Sequence, residues 1–164
     1  MAANDYGGVL SIVVTGLKAR TALTTLLATR NIAGTSSKAN SIFYATHAPL
    51  PPLFPCIAMR DFGPFAADPT KHELPMLLCR VAVELSIFGR SQDIRAIQSE
   101  IDLYLESAEY SGALDTASWA IKDIDTSGGW VNVQVPKELT ADGSTTNLEQ
   151  RAKTFDVVAA NKLD

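Results

Sequence analysis

Residues 77–88 read Leu77-Leu78-Cys79-Arg80-Val81-Ala82-Val83-Glu84-Leu85-Ser86-Ile87-Phe88, the longest strand-like run in the chain. Cys79, Val81, Val83, Leu85 and Ile87 fall on one face, and Arg80, Ala82, Glu84 and Ser86 on the other. Side chains alternate across a strand, so this pattern predicts one buried and one wetter face. Gly89-Arg90-Ser91 interrupts it, and an amphipathic helix is expected over 92–106. There Ile94, Ile97, Ile101 and Leu105 recur at three- and four-residue spacing and make one apolar stripe. Asp93, Arg95, Glu100 and Asp102 lie mostly off that stripe. A strand and a helix, each with one apolar face, are the seed of a two-layer α+β core.

Upstream, Val9, Val13, Leu17, Leu23 and Leu27, with Leu10, Ile12 and Leu26 beside them, predict a helix over 8–28. Gly16 and several threonines weaken its intrinsic propensity, so it depends on tertiary packing, either in the core or at a subunit contact. The chain then turns small and polar over 31–40, which reads as a loop. A short strand is expected over 41–46. Pro49, Pro51, Pro52 and Pro55 forbid helix and interior ladder positions, and a strand over 56–60 is entered through the last of them. A second long connection is expected over 61–75.

Downstream of the helix, 107–115 is a link of small residues. Strands are expected over 116–126 and 129–136, joined as a hairpin by Ser127-Gly128-Gly129. Val131, Val133 and Val135 share a face opposite Asn132 and Gln134. A polar loop over 137–150 leads to a closing strand over 151–160. In it Phe155, Val157 and Ala159 share a face and Arg151 and Lys153 lie at the entrance. The expected fold is therefore α+β, a largely antiparallel or mixed β-sheet with two main helices packed on one face. It is read as a single domain over 1–164, with long loops at about 28–55, 61–75 and 137–150 that exceed ordinary connections and suit contacts with neighbours.

The 164 residues are 46% apolar and 20% charged, a globular composition with room for a real core. A net charge of −4 argues against a sequence-reading DNA binder and suits a surface that nucleic acid passes without sticking. Cys56 and Cys79 sit in apolar runs and read as buried free thiols in a reducing environment, with a disulfide between neighbouring strands as the alternative. Their separation does not make a zinc knuckle, and His47 and His72 lack paired ligand spacing. The start lacks a basic n-region, and no apolar run reaches the roughly 18–20 residues of a membrane span. The expectation is a soluble chain without an export signal and without a membrane partner.

A catalytic signature is absent from the sequence. His47 or His72 beside Cys56 or Cys79 could form a nucleophile–base pair in principle, but nothing local supports it, and both histidines read as exposed loop residues. Asp123 and Asp125 are i and i+2 on a strand, which puts two acids on one face; they read as a solvated sheet face, with a metal or acid–base pair as the alternative. Asp61, Asp68 and His72 could ligate a metal only if something fixed their geometry. Asp61-Phe62-Gly63 spells the kinase metal-binding triplet without the catalytic loop, glycine-rich loop or strand lysine that give it meaning. Gly7-Gly8 could offer amides to an anion, which is a weak signal by itself. Trp119 and Trp130 lack the neighbouring cations of a base-stacking platform and are expected to pack in or near the sheet. Catalytic, cofactor-binding and metal-binding residues are accordingly all assigned as none.

The ordered pattern resembles the tail terminator, or tail-completion, proteins of tailed bacteriophages. The features that carry the resemblance are the N-terminal helix, Pro55-Cys56-Ile57-Ala58-Met59-Arg60, the strand Arg80-Val81-Ala82-Val83-Glu84-Leu85-Ser86-Ile87-Phe88, the helix over 93–105, the strands after it and the closing Gln150-Arg151-Ala152-Lys153-Thr154-Phe155-Asp156-Val157-Val158. The resemblance spans most of the chain and is one of element order and strand texture, without an invariant motif. The 28–55 stretch is longer than in compact members. The resemblance implies a structural, non-enzymatic virion protein, assembled in the host cytoplasm, that forms a ring, a hexamer, on the finished tail tube. Such a ring ends polymerisation and makes the joint to the head and neck. Implied partners are copies of the same chain, the tail tube protein, the head–tail connector or neck protein, a sheath protein where the tail contracts, and genomic DNA passing through without sequence-specific binding. Glu100, Asp102 and Glu106 are expected to face solvent or the ring lumen rather than the core. Another connector or neck adaptor is the alternative within the same class, and a small enzyme using Asp61, Asp68 and His72 is the alternative outside it.

Overall fold

The computed structural model describes residues 6–44, 53–66, 78–111, 119–126, 128–135 and 148–161. Its elements are helix α1 (Tyr6–Ala19), the single turn α2 (Thr21–Thr24), strands β1 (Arg30–Ile32), β2 (Thr35–Ser37), β3 (Ile42–Tyr44), β4 (Cys56–Ala66) and β5 (Leu78–Arg90), helix α3 (Ser91–Ser111), and strands β6 (Trp119–Asp125), β7 (Val131–Val133) and β8 (Leu148–Asn161). The main sheet runs β3-β4-β5-β8-β6, with β7 also paired to β8. Among the described residues only β3 and β4 are parallel; the remaining ladders are antiparallel. The α+β expectation of a largely antiparallel, mixed sheet carrying two helices on one face is what the chain forms.

The long strand and the helix after it are placed as their periodicity predicts. Val81, Val83, Leu85 and Ile87 are buried with Ile94, Ile97, Ile101 and Leu105 in one cluster. Leu10, Val13, Val14 and Leu17 of α1 enter the same cluster, together with Phe155, Val157 and Ala159 of β8. Gly16 of α1 lies against Tyr104 of α3: a Cβ there would lie 1.8 Å from the Tyr104 hydroxyl oxygen. The residue that lowers helix propensity is thus the one that admits the Tyr104 ring between the helices.

Several boundaries depart from the sequence expectation. The helix expected over 8–28 breaks at Arg20, which is extended (φ −82, ψ 100) and is followed by one short turn. Thr24 and Thr25 turn their hydroxyls onto the carbonyls of Thr21 and Ala22, a local alternative to further helix. The loop expected over 31–40 is instead a β1–β2 hairpin closed by Ala33 and Gly34, both at positive φ (50 and 84), as a tight two-residue turn requires. Asn31 Oδ1 accepts from the Gly34 amide and Asn31 Nδ2 donates to Ser36 Oγ, which holds that turn.

The connection expected over 61–75 begins as strand: β4 continues to Ala66, and its register against β5 shifts between Asp61 and Pro64. Asp61-Phe62-Gly63 is therefore the backbone of a bulge, one of the few places a sheet tolerates a following proline. The hairpin expected across 127–129 does not pair its two arms with each other. β6 pairs with the C-terminal half of β8 and β7 with its N-terminal part. β8 itself begins at Leu148, inside the loop expected over 137–150, and pairs with β5 along thirteen consecutive positions.

Cys56 pairs with Phe88 at one end of the β4–β5 ladder and Cys79 with Ala66 at the other. That is ~30 Å of extended strand, far beyond the ~7 Å Cα separation a disulfide spans. The disulfide alternative is thereby overturned, and Cys56 is a buried free thiol.

Candidate functional site

β5 and β8 present their even-numbered side chains on the face that α1 and α3 leave uncovered. Across this open face Arg60 Nε donates to Glu84 Oε1 at 2.9 Å, and Gln150 Nε2 donates to Ser86 Oγ at 3.3 Å. Thr154 is exposed and Asp156 half-buried. At one end the face turns apolar: Cys56, Ala58 and Phe88 form a second small cluster against Phe43, Phe54, Val135 and Leu148. The valine stripe of β7 belongs to this side too, since Val131 and Val133 lie opposite Ala152 and Gln150. It is not a core stripe; Val131 is 57% and Val133 38% exposed. Among the described residues, the outer edges of β3, β6 and β7 pair with no further strand.

Polar side chains fasten the helices at their flanks. Arg20 donates from Nε to Glu100 at 2.9 Å, joining the α1–α2 break to α3. Asp102 receives the Trp130 indole N–H at 3.1 Å and the Lys153 ammonium at 2.9 Å. That ammonium also lies 5.6 Å from the Trp130 ring centroid, in cation–π range. Arg151 donates to Gln98 Oε1 at 2.9 Å. Glu100 and Asp102 are therefore off the core, as expected, but each is engaged within the subunit; Glu106 is exposed. Sequence reasoning missed these pairings because each joins residues 28 to 80 positions apart.

The buried polar groups point away from nucleophilic chemistry. Burial pushes the Cys56 thiol up to about 12, with the Arg30 guanidinium a smaller opposing pull. Such a thiol stays protonated at neutral pH, and the thiolate is the nucleophile. Burial likewise pushes the Tyr104 hydroxyl up to about 12. Arg30 is 8% exposed, donates to the Leu53 carbonyl at 3.4 Å and lies 5.3 Å from the Phe43 ring centroid.

Of the residues weighed for chemistry, His47, Asp68 and His72 lie outside the described residues, and Asp61 is described through its backbone alone. Asp123 and Asp125 do share a face. They pair with Val158 and Asp156 on the open side, because the register shift of β6 falls before Asp123. Among the described residues no group of three His, Cys, Asp or Glu could hold a metal ion, and no helix is long and apolar enough to cross a membrane. Among the described residues, the surface also includes the polar open face, the outer edges of β3, β6 and β7, and the largely exposed β1–β2 hairpin.

No family model and no curated protein sequence matches the chain. Its fold is similar to that of a chain in the solved structure described as the virion of a native gene transfer agent particle. The TM-score is 0.59 at 12% identity, over 97% of this chain and 99% of that one. At that identity the likeness is one of fold, and it extends over both chains from end to end.

Proposed function

We propose that this chain is a structural virion protein that closes the finished tail tube as a ring, in the manner of a tail terminator. The observation that carries the reading is the end-to-end fold likeness to a chain of a gene transfer agent virion. The element order that resembles tail terminators agrees with it. The physics suits the role. A rigid two-layer core holds free sheet edges and an exposed hairpin at its periphery, the parts that make heterologous contacts between neighbours in a ring. The open face pairs its charged groups internally through Arg60 and Glu84, so a passing polyanion meets little uncompensated positive charge.

In this reading the ring is a hexamer, its partners are the tail tube below and the connector or neck protein above, and DNA passes without base contacts. The test adds purified protein to tail tubes assembled from the cognate tube protein. Rings at the tube tip and arrest of elongation are expected by negative-stain imaging. Protein that neither binds tips nor changes tube length overturns the reading. Binding to the head-side connector without tube arrest replaces it with a neck adaptor.

A further inference from the structure

The β1–β2 hairpin is a sheet of its own, separate from the main sheet. Together with the turn that follows it, it bonds mainly to itself. Asn31 closes the tip by accepting from the Gly34 amide and donating to Ser36 Oγ. Asn40 Nδ2 donates to the Arg30 carbonyl at 3.0 Å and to the Thr35 carbonyl at 2.9 Å. The Ala39 amide donates to Ser37 Oγ at 3.1 Å. A two-stranded hairpin alone is marginal in water, and these bonds make residues 30–40 one unit. Its base is fixed. The Ala28 amide donates to the Pro55 carbonyl at 3.0 Å, and Ser41 Oγ donates to the Ala28 carbonyl at 2.6 Å. Ser41 is fully buried.

The unit above that base is fastened lightly. Residues 31–36 are all exposed, and Ile32 among them is 50% exposed, so the unit buries little apolar area. Among the described residues two hydrogen bonds tie it to the body. One is the exposed Lys38 ammonium on the Thr25 carbonyl at 2.8 Å. The other runs from Arg30 Nη2 to the Leu53 carbonyl at 3.4 Å, long for such a bond. Arg30 is the one buried side chain of the unit. Its guanidinium lies 5.3 Å from the Phe43 ring centroid. Among the described residues its Nε has no acceptor and no carboxylate pairs with it. The neighbouring Cys56 thiol is held protonated by its own burial and supplies no counter-charge. A cation buried in this way is costly to keep from water.

We infer that residues 30–40 are a latched arm that swings out from the body as one unit, with Thr29 and Ser41 as its hinges and Arg30 as its latch. Release returns the guanidinium to water, which offsets the lost contacts with the Phe43 ring and the Leu53 carbonyl. The bonds inside the unit and at its base stay intact. Openings of low free energy are drawn from regions with few buried apolar contacts, and hinges lie at a few residues on element ends. The motion gives the subunit an exposed element whose angle changes while the core does not. It belongs to the single chain, whether or not the chain caps a tube.

Relaxation dispersion of the backbone amides, in deuterated 15N-labelled protein, reads motion on the μs–ms scale and tests the latch. In the wild type the amides of 30–40 should fit one common exchange rate and one minor population, while those of β5, β8 and α3 stay flat. Arg30→Met leaves an apolar side chain against Phe43 without the buried charge, and should shrink the minor population by roughly tenfold. Arg30→Ala leaves the slot empty and should enlarge it. A wild type whose 30–40 amides are flat, or fit unrelated rates, overturns the arm, and this result is decisive even if a variant does not fold. An Arg30→Met variant with an unchanged or larger minor population overturns Arg30 as the latch, because the guanidinium would then be an ordinary fastener.

Discussion

The two faces of the central sheet come from the same strands and meet opposite fates. Val81, Val83, Leu85 and Ile87 of β5 lie under the helices and are fully buried. Ala82 and Glu84, one residue away, stay half-buried on the open side. β8 repeats the contrast, with Phe155 and Val157 buried, Thr154 exposed and Asp156 half-buried. Alternation supplies two faces to any strand; a covering layer makes one of them dry. Where loop and strand side chains take over that covering role, at Cys56, Ala58 and Phe88, the open face is dry as well. The covered face therefore holds the fold together, and the open face stays partly wet.

Substitutions on the two faces should separate this contrast by size. Ile97→Ala empties a fully buried site between α3 and the sheet and should lose about 2–5 kcal/mol in denaturant unfolding. A loss below about 1 kcal/mol would mean that α3 does not seal the sheet. Gly16→Ala should destabilise by about 1–3 kcal/mol through overpacking against Tyr104, against an intrinsic gain of about 1 kcal/mol for alanine in a helix. Tyr104→Leu in the same background should recover part of that loss. A Gly16→Ala variant more stable than wild type would show that the two helices do not approach so closely.

Lys153→Met tests the polar margin of the covered face. It removes the ammonium between Asp102 and Trp130 and should cost about 1 kcal/mol. A Trp119→Phe background isolates the Trp130 emission, which should change with it; unchanged emission would place Trp130 elsewhere. The smallest effect belongs to the open face. Arg60→Gln breaks a half-exposed pair with Glu84 and should cost about 0.2–1 kcal/mol, fading as salt rises. A loss as large as that of Ile97→Ala would erase the difference between the faces.

How much of this was legible in the sequence follows the range of the interactions. β5 and α3 were legible because their periodicity lies within a single element, and the burial of Val81, Val83, Ile94, Ile97 and Ile101 in one core followed from it. The bend at Arg20 was not, because its guanidinium answers to Glu100, eighty positions away. The Ala33-Gly34 turn escaped because alanine at positive φ gives no turn signal. The candidate site was the least legible part. It has no motif, and its surface exists only once strands distant in sequence stand side by side.

Two things were determined by the sequence alone: the α+β class and the apolar faces of β5, α3 and β8. Tertiary structure decided the rest. It set β7 against β8 instead of β6, put the β7 valines on the uncovered side and parted Cys56 from Cys79. The reason is physical. Periodicity records which side chains avoid water, whereas strand order, register and covering layer depend on contacts between segments far apart in the chain.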